Sequence, residues 1–140
     1  MRGVDVTSPN AAKGKAFERE VRRYLEDVFG RLVRQPHQEG FKDVGDLHLA
    51  PFVLQAKNYA DVATALNIGV AGAELQASHA GEPYGVAVIK KRNANVAAAR
   101  VAMTLSTFRD LVTRLHRAEA LLQRHAPEVF HTEHASEHKE

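Results

Sequence analysis

Asp46-Leu47-His48-Leu49-Ala50-Pro51-Phe52-Val53-Leu54-Gln55-Ala56-Lys57 is the stretch from which the rest of the chain can be read. Ala50-Pro51 separates two short apolar runs, Gly45 to Leu49 and Phe52 to Lys57, and a proline is excluded from a paired central strand position. A β-hairpin turning at Ala50-Pro51 follows, with paired residues summing to 101. Asp46 then lies across from Gln55, with Cβ atoms about 4.5–5.5 Å apart. Alternation along a strand puts Gln55 and Lys57 on the face of Asp46 and sends Leu47, Leu54 and Ala56 to the other. A one-residue bulge at the turn shifts the pairing to Leu54 or Ala56.

An acid, an amide and an amine on one face of an apolar hairpin suit metal-assisted phosphodiester hydrolysis. A hard cation such as Mg²⁺ takes oxygen ligands, commonly one or two carboxylates with water and substrate phosphate completing the shell. Asp46 offers a carboxylate, Gln55 an amide oxygen and Ala56 a backbone carbonyl, while Lys57 is placed to orient the attacking water or to offset charge on phosphorus. The plainer reading is a surface hairpin whose polar face is only solvated.

With 140 residues, the chain has the length of one domain with a real core. It contains no cysteine, which excludes a disulfide framework, a thiolate metal site and a thiol nucleophile. No signal-like segment and no apolar run near membrane-spanning length occurs, so the expectation is a soluble cytoplasmic protein. The net charge of +2 divides unevenly: residues 125–140 carry −3, leaving +5 on residues 1–124. A mildly basic body is compatible with nucleic acid as a partner.

Upstream, residues 1–8 read as a flexible lead-in, and a helix is expected from Pro9 or Asn10 to Phe29, ended by Gly30. Its apolar stripe is Phe17, Val21, Tyr24, Leu25, Val28 and Phe29. At about 100° per residue, Glu18 falls between Leu25 and Phe29, inside that stripe. A carboxylate on a core-facing arc is costly unless it is paired or binds a metal. Either Glu18 serves the hairpin site, or it snorkels to solvent and pairs with Arg22 one turn away.

Arg31 to Gln35 reads as a strand, followed by a polar loop from Pro36 to Asp43. Beyond the hairpin, Asp61 caps a helix running to about His79 and ending at Gly81; its alanines with Gly69 and Gly72 predict close packing on the sheet. Tyr84 to Lys90 and Val101 to Leu105 read as strands, with the basic run Lys90-Lys91-Arg92 between them. The last helix is expected to start with Thr107 as cap, and its stripe Phe108, Leu111, Val112, Leu115, Ala118, Leu121 and Leu122 predicts either core packing or a dimer contact. Residues 125–140 read as a polar, disordered tail in which His131, His134 and His138 form no metal site. The element order gives a mixed α/β architecture, a central sheet with helices on its faces, in one domain over residues 1–124. His48 shares the parity of Asp46 and reads as a partly exposed strand residue.

Lys13-Gly14-Lys15-Ala16-Phe17-Glu18-Arg19-Glu20, Arg34, Gly45-Asp46 and Gln55-Ala56-Lys57, in that order, resemble the PD-(D/E)xK nuclease superfamily and, more closely, the archaeal-type Holliday junction resolvases and similar resolvases of phages. The resemblance covers residues 13–90. It implies a restriction-endonuclease-like fold with a central mixed β-sheet flanked by helices. It further implies a homodimeric, structure-specific DNA endonuclease that resolves four-way junctions by paired nicks with Mg²⁺, Mn²⁺ as a substitute, in the cytoplasm of a cell or of a viral host. Carried over by position, Glu18 and Asp46 help hold the metal with Gln55 and the Ala56 carbonyl. Gln55 occupies the second acid position, and Lys57 is the motif lysine. Lys13, Lys15, Arg19, Arg34, Lys90 and Lys91 are the candidate DNA-binding residues, the two lysines beside Gly14 gaining from a helix N-terminus.

Two features depart from the pattern. Gln55 replaces a glutamate and removes one negative charge, for which Glu18, Glu39 or Asp43 could compensate. The loop from Pro36 to Asp43 lacks the serine that archaeal resolvases tend to carry before the aspartate. The alternatives are a restriction-like or repair nuclease acting on duplex DNA, and a catalytically silent DNA-binding module of the same fold.

Overall fold

The computed structural model describes residues 9–36 and 46–129. Residues 1–8, Glu39, Asp43 and the histidines of residues 130–140 lie outside them. The chain divides after Thr104 into two units, residues 1–104 and 105–140.

In the first unit, α1 spans Pro9–Phe29, as its apolar spacing predicts, and Gly30 leaves it with a positive φ of 51°. The hairpin strands are β1, Leu47–Leu49, and β2, Phe52–Lys57, paired antiparallel in the expected register: Leu47 with Leu54, His48 with Val53 and Leu49 with Phe52. Helix α2, Val62–Ala80, is capped by Asp61, whose carboxylate accepts from the Ala63 N–H and the Thr64 hydroxyl. Those bonds hold the Asp61 carboxyl below its usual range, the Thr64 hydroxyl contributing most. Gly81 ends the helix at φ 72°, a left-handed turn that glycine adopts without Cβ strain.

Strand β3, Tyr84–Ile89, lies parallel to β2, and β4, Arg100–Ala102, lies antiparallel to β3. The result is one mixed sheet in the order β1-β2-β3-β4, with α2 as the crossover between its parallel pair. Every residue of β3 is buried, as a strand covered on both faces should be.

Alternation sorts the core into two layers. Phe17 and Val21 of α1 pack with Leu47, Leu54, Val86 and Val88. Ala65 of α2 packs with Ala87 and Ile89 on the opposite face. The approach of α2 is as close as its composition suggests: a Cβ on Gly69 would stand 3.0 Å from the Ala87 Cβ, and one on Gly85 would meet the Ala73 backbone carbonyl.

Three expectations need correction. The strand over Arg31–Gln35 is instead a 3₁₀ turn, Gly30–Leu32, followed by a single bridge between Arg34 and His48. Leu32 is exposed and only Val33 is buried, so the alternation that pairs a strand with a sheet face is satisfied at one position. The last strand is β4, Arg100–Ala102, and ends before Leu105. His48 is buried, at 7% exposure, because it lies between the Arg34 bridge and Val53.

In the second unit, α3 spans Leu105–His125, so Thr107 lies in its first turn and is not its cap. No residue of α3 is buried, and Phe108, Leu115 and Leu121 of its apolar stripe are exposed. No helix among the described residues is long and apolar enough to cross a membrane.

Candidate active site

Asp46 immediately precedes β1, at a bend in the chain. Its Oδ2 accepts the Ala56 N–H at 2.9 Å, so the carboxylate takes up the backbone group that β1 is too short to reach. In an antiparallel ladder the N–H and C=O of one residue lie on the same edge of the strand. The Ala56 carbonyl is therefore directed to the edge of β2 where the Asp46 carboxylate stands.

Glu18 reaches this neighbourhood from α1. Phe17 and Val21 are fixed in the core one residue before and three after it, which turns Glu18 to the margin of the buried face. Its Oε1 accepts from the Gln35 amide, and the oxygen of that amide accepts from the Arg22 guanidinium. Arg22 also lies 3.4 Å from Glu26. Partial burial raises the Glu18 pKa above its ordinary value, and the nearby negative charge of Asp46 raises it further, against the lowering pull of Gln35, Arg22 and Lys15. Two carboxylates from different elements thus share one field and repel, an arrangement that a cation between them would relieve.

Gln55 and Lys57 leave β2 on the face that α2 covers. Gln55 is 8% exposed, and its amide packs against Gly72, where an added Cβ would stand 2.4 Å from Oε1. That oxygen is buried and has no hydrogen-bond partner. Lys57 lays its Cγ against Gly69 and sets its ammonium 5.4 Å from the centre of the Tyr59 ring. The expected shared face of Gln55 and Lys57 is present, but their contacts are with α2 and Tyr59. Glu18, Asp46 and Ala56 form a group at the strand edge. Among the described residues no cluster of three or more His, Asp or Glu side chains forms a metal site.

Of the basic candidates, Lys13, Lys15 and Arg19 project from the exposed part of α1, Arg34 sits exposed at its bridge, and Lys91 is exposed in the turn after β3. Lys90 is half-buried, its ammonium 5.9 Å from the centre of the Phe17 ring. Sequence reasoning missed Gln35, which links Glu18 to Arg22 across 17 and 13 residues of chain. No periodicity in a single sequence announces such a contact. It also missed Asn58, whose amide donates to the Lys13 carbonyl at 3.4 Å and ties α1 to the exit of β2.

No family model, curated protein or solved structure matches the chain.

Proposed function

We propose that the protein is a divalent-metal-dependent DNA endonuclease of restriction-endonuclease-like fold, acting on four-way junctions as a homodimer. The observation that carries this reading is the edge of β2, where the Asp46 carboxylate sits on the Ala56 N–H, close enough to Glu18 to add to the rise in that residue's proton affinity that its partial burial begins. Glu18, Asp46 and the Ala56 carbonyl make an all-oxygen donor set suited to Mg²⁺ or Mn²⁺. The metal, when bound, supplies Lewis acidity toward the scissile phosphate and its attacking water.

Each remaining role belongs to the chain's own groups. Gln35 and Arg22 hold the Glu18 carboxylate in place, and the Ala56 N–H orients Asp46. Lys57, on the same strand, serves water positioning or charge neutralisation once its ammonium leaves Tyr59. Lys15, Arg19 and Arg34 are exposed for phosphate contact. Ile68 and Leu75, seven residues apart on one flank of α2 and both exposed, supply apolar surface for a second copy.

One alternative has an observation of its own. The enclosed Gln55 amide, facing α2 with its oxygen unpaired, favours a silent DNA-binding module. Offering labelled four-way junction, duplex and flap DNA with Mg²⁺ or Mn²⁺ separates these readings. Preferential junction cutting that Lys57→Ala abolishes while binding persists is the expected result. Preference for duplex supports a restriction-like or repair nuclease, and binding without cutting in either metal supports the silent module.

A further inference from the structure

A crevice of about 460 Å³ opens beyond the carboxyl ends of the parallel strands β2 and β3. Lys13 and Ala16 of α1 form one wall, Asn58 and Ala60 follow β2, and Lys90, Arg92 and Asn93 follow β3. Open α/β sheets bind ligands outside the carboxyl ends of their strands, the end at which this crevice lies. This one holds three cations and two amides, with no acid in its lining.

Its walls are braced. The Lys90 N–H donates to the Lys57 carbonyl at 3.0 Å, which extends the β2–β3 ladder to the rim. The Lys90 ammonium is steered by the buried Phe17 ring, and the Asn58 amide ties the wall carrying Lys13 to the end of β2. Asn93 takes a positive φ of 55°, the conformation that turns the chain back after Arg92 and that asparagine tolerates better than most residues.

We infer that this crevice seats phosphate oxygens of a nucleic-acid strand, an inference that rests on the nuclease reading for the choice of a nucleic acid over other phosphate esters. Lys13, Lys90 and Arg92 carry three positive charges from two separate segments. That suits either neighbouring backbone phosphates, each with one negative charge, or a terminal phosphate monoester with up to two. Arg92 supplies a planar fork for two oxygens, and the lysines act as point charges.

The test uses the full chain and labelled DNA without metal, so that binding is read apart from cutting. Fluorescence anisotropy over a salt series compares the parent with Lys90→Ala, Arg92→Ala, Arg92→Glu and, as a charge-matched control on the outer side of α1, Arg23→Ala. Losing one charge-assisted contact should raise Kd roughly tenfold and lower the salt slope by about 0.9 on duplex arms or about 0.7 on a single strand. Arg23→Ala should do neither. Lys90→Ala touches the packing over Phe17, so Arg92→Ala, at an exposed position, decides the matter if the former melts early.

Strands with a 5′-phosphate or a 5′-hydroxyl distinguish the two sources. A terminal-phosphate site shows a preference between the ends that Arg92→Ala erases, and a backbone site shows equal loss on both. Unchanged Kd and slope in Arg92→Ala and Arg92→Glu, with the parent binding and cutting normally, overturns the crevice and leaves the nuclease reading intact. Crevice-dependent binding by a parent that never cuts does the reverse. A parent that binds no nucleic acid overturns both.

Discussion

On one face of the sheet α1 lays Phe17 and Val21 against Leu47, Leu54, Val86 and Val88; on the other, α2 offers Ala65, Gly69, Gly72, Ala73 and Ala77. The first face is held by area, since large side chains interlock and exclude water. The second is held by approach, since small residues let helix backbone nearly touch strand backbone, leaving little apolar surface to bury. The room left over goes to long polar stems, so Gln55 and Lys57 lie flattened beneath α2. A helix of small residues can thus shelter long polar side chains that a helix of large ones would displace.

The sharpest way to break the first face is Phe17→Ala, which empties a position only 1% exposed and should cost about 3–5 kcal/mol by denaturant unfolding. The counterpart on the second face adds a single carbon. Gly85→Ala places a Cβ 2.1 Å from the Ala73 carbonyl oxygen, a backbone atom that cannot swing aside, and should cost up to about 3 kcal/mol. A smaller loss than that of an exposed control would show α2 to be more yielding than its contacts indicate.

Gly72→Ala sharpens the contrast, because its new Cβ meets only the end of the Gln55 side chain. Displacing that amide offsets the gain of up to about 1 kcal/mol that alanine brings to a helix interior, so the net change should be near zero. In a Gln55→Ala background the same substitution should become stabilising, and a double-mutant cycle measures the coupling directly.

The mildest effect concerns the margin of the first face, where Glu18 titrates above its ordinary value because of burial and Asp46. An acid whose folded pKa exceeds its unfolded one binds more protons when folded. Stability therefore falls as pH rises from the ordinary carboxylate value through the raised one. Glu18→Gln should flatten that part of the stability profile, as followed by denaturant midpoints from roughly pH 4 to 7.

Local chemistry made much of this fold legible. Pro51 located the turn and so the register, Gly30 and Gly81 marked two helix ends, and Asp61 marked a helix start. The shared face of Gln55 and Lys57 followed from a period of two. Which helix would cover that face did not, because alternation distinguishes the two sides of a strand without saying what lies on either. The missing strand at Arg31–Gln35 has a related cause: a short alternating run is only a strand where a partner accepts it, and here just Arg34 finds one. For α3, a one-sided apolar pattern established that a stripe exists but carried no information about its occupant.

The sheet also tapers. Its two inner strands run six residues each, whereas the outermost ones, β1 and β4, run three. A foreign strand laid alongside either rim would find few backbone groups to pair with, and so little reward for docking there. Runaway stacking of sheets through these rims is thereby discouraged by shortness itself, with the exposed Arg100 of β4 adding a charge at one of them.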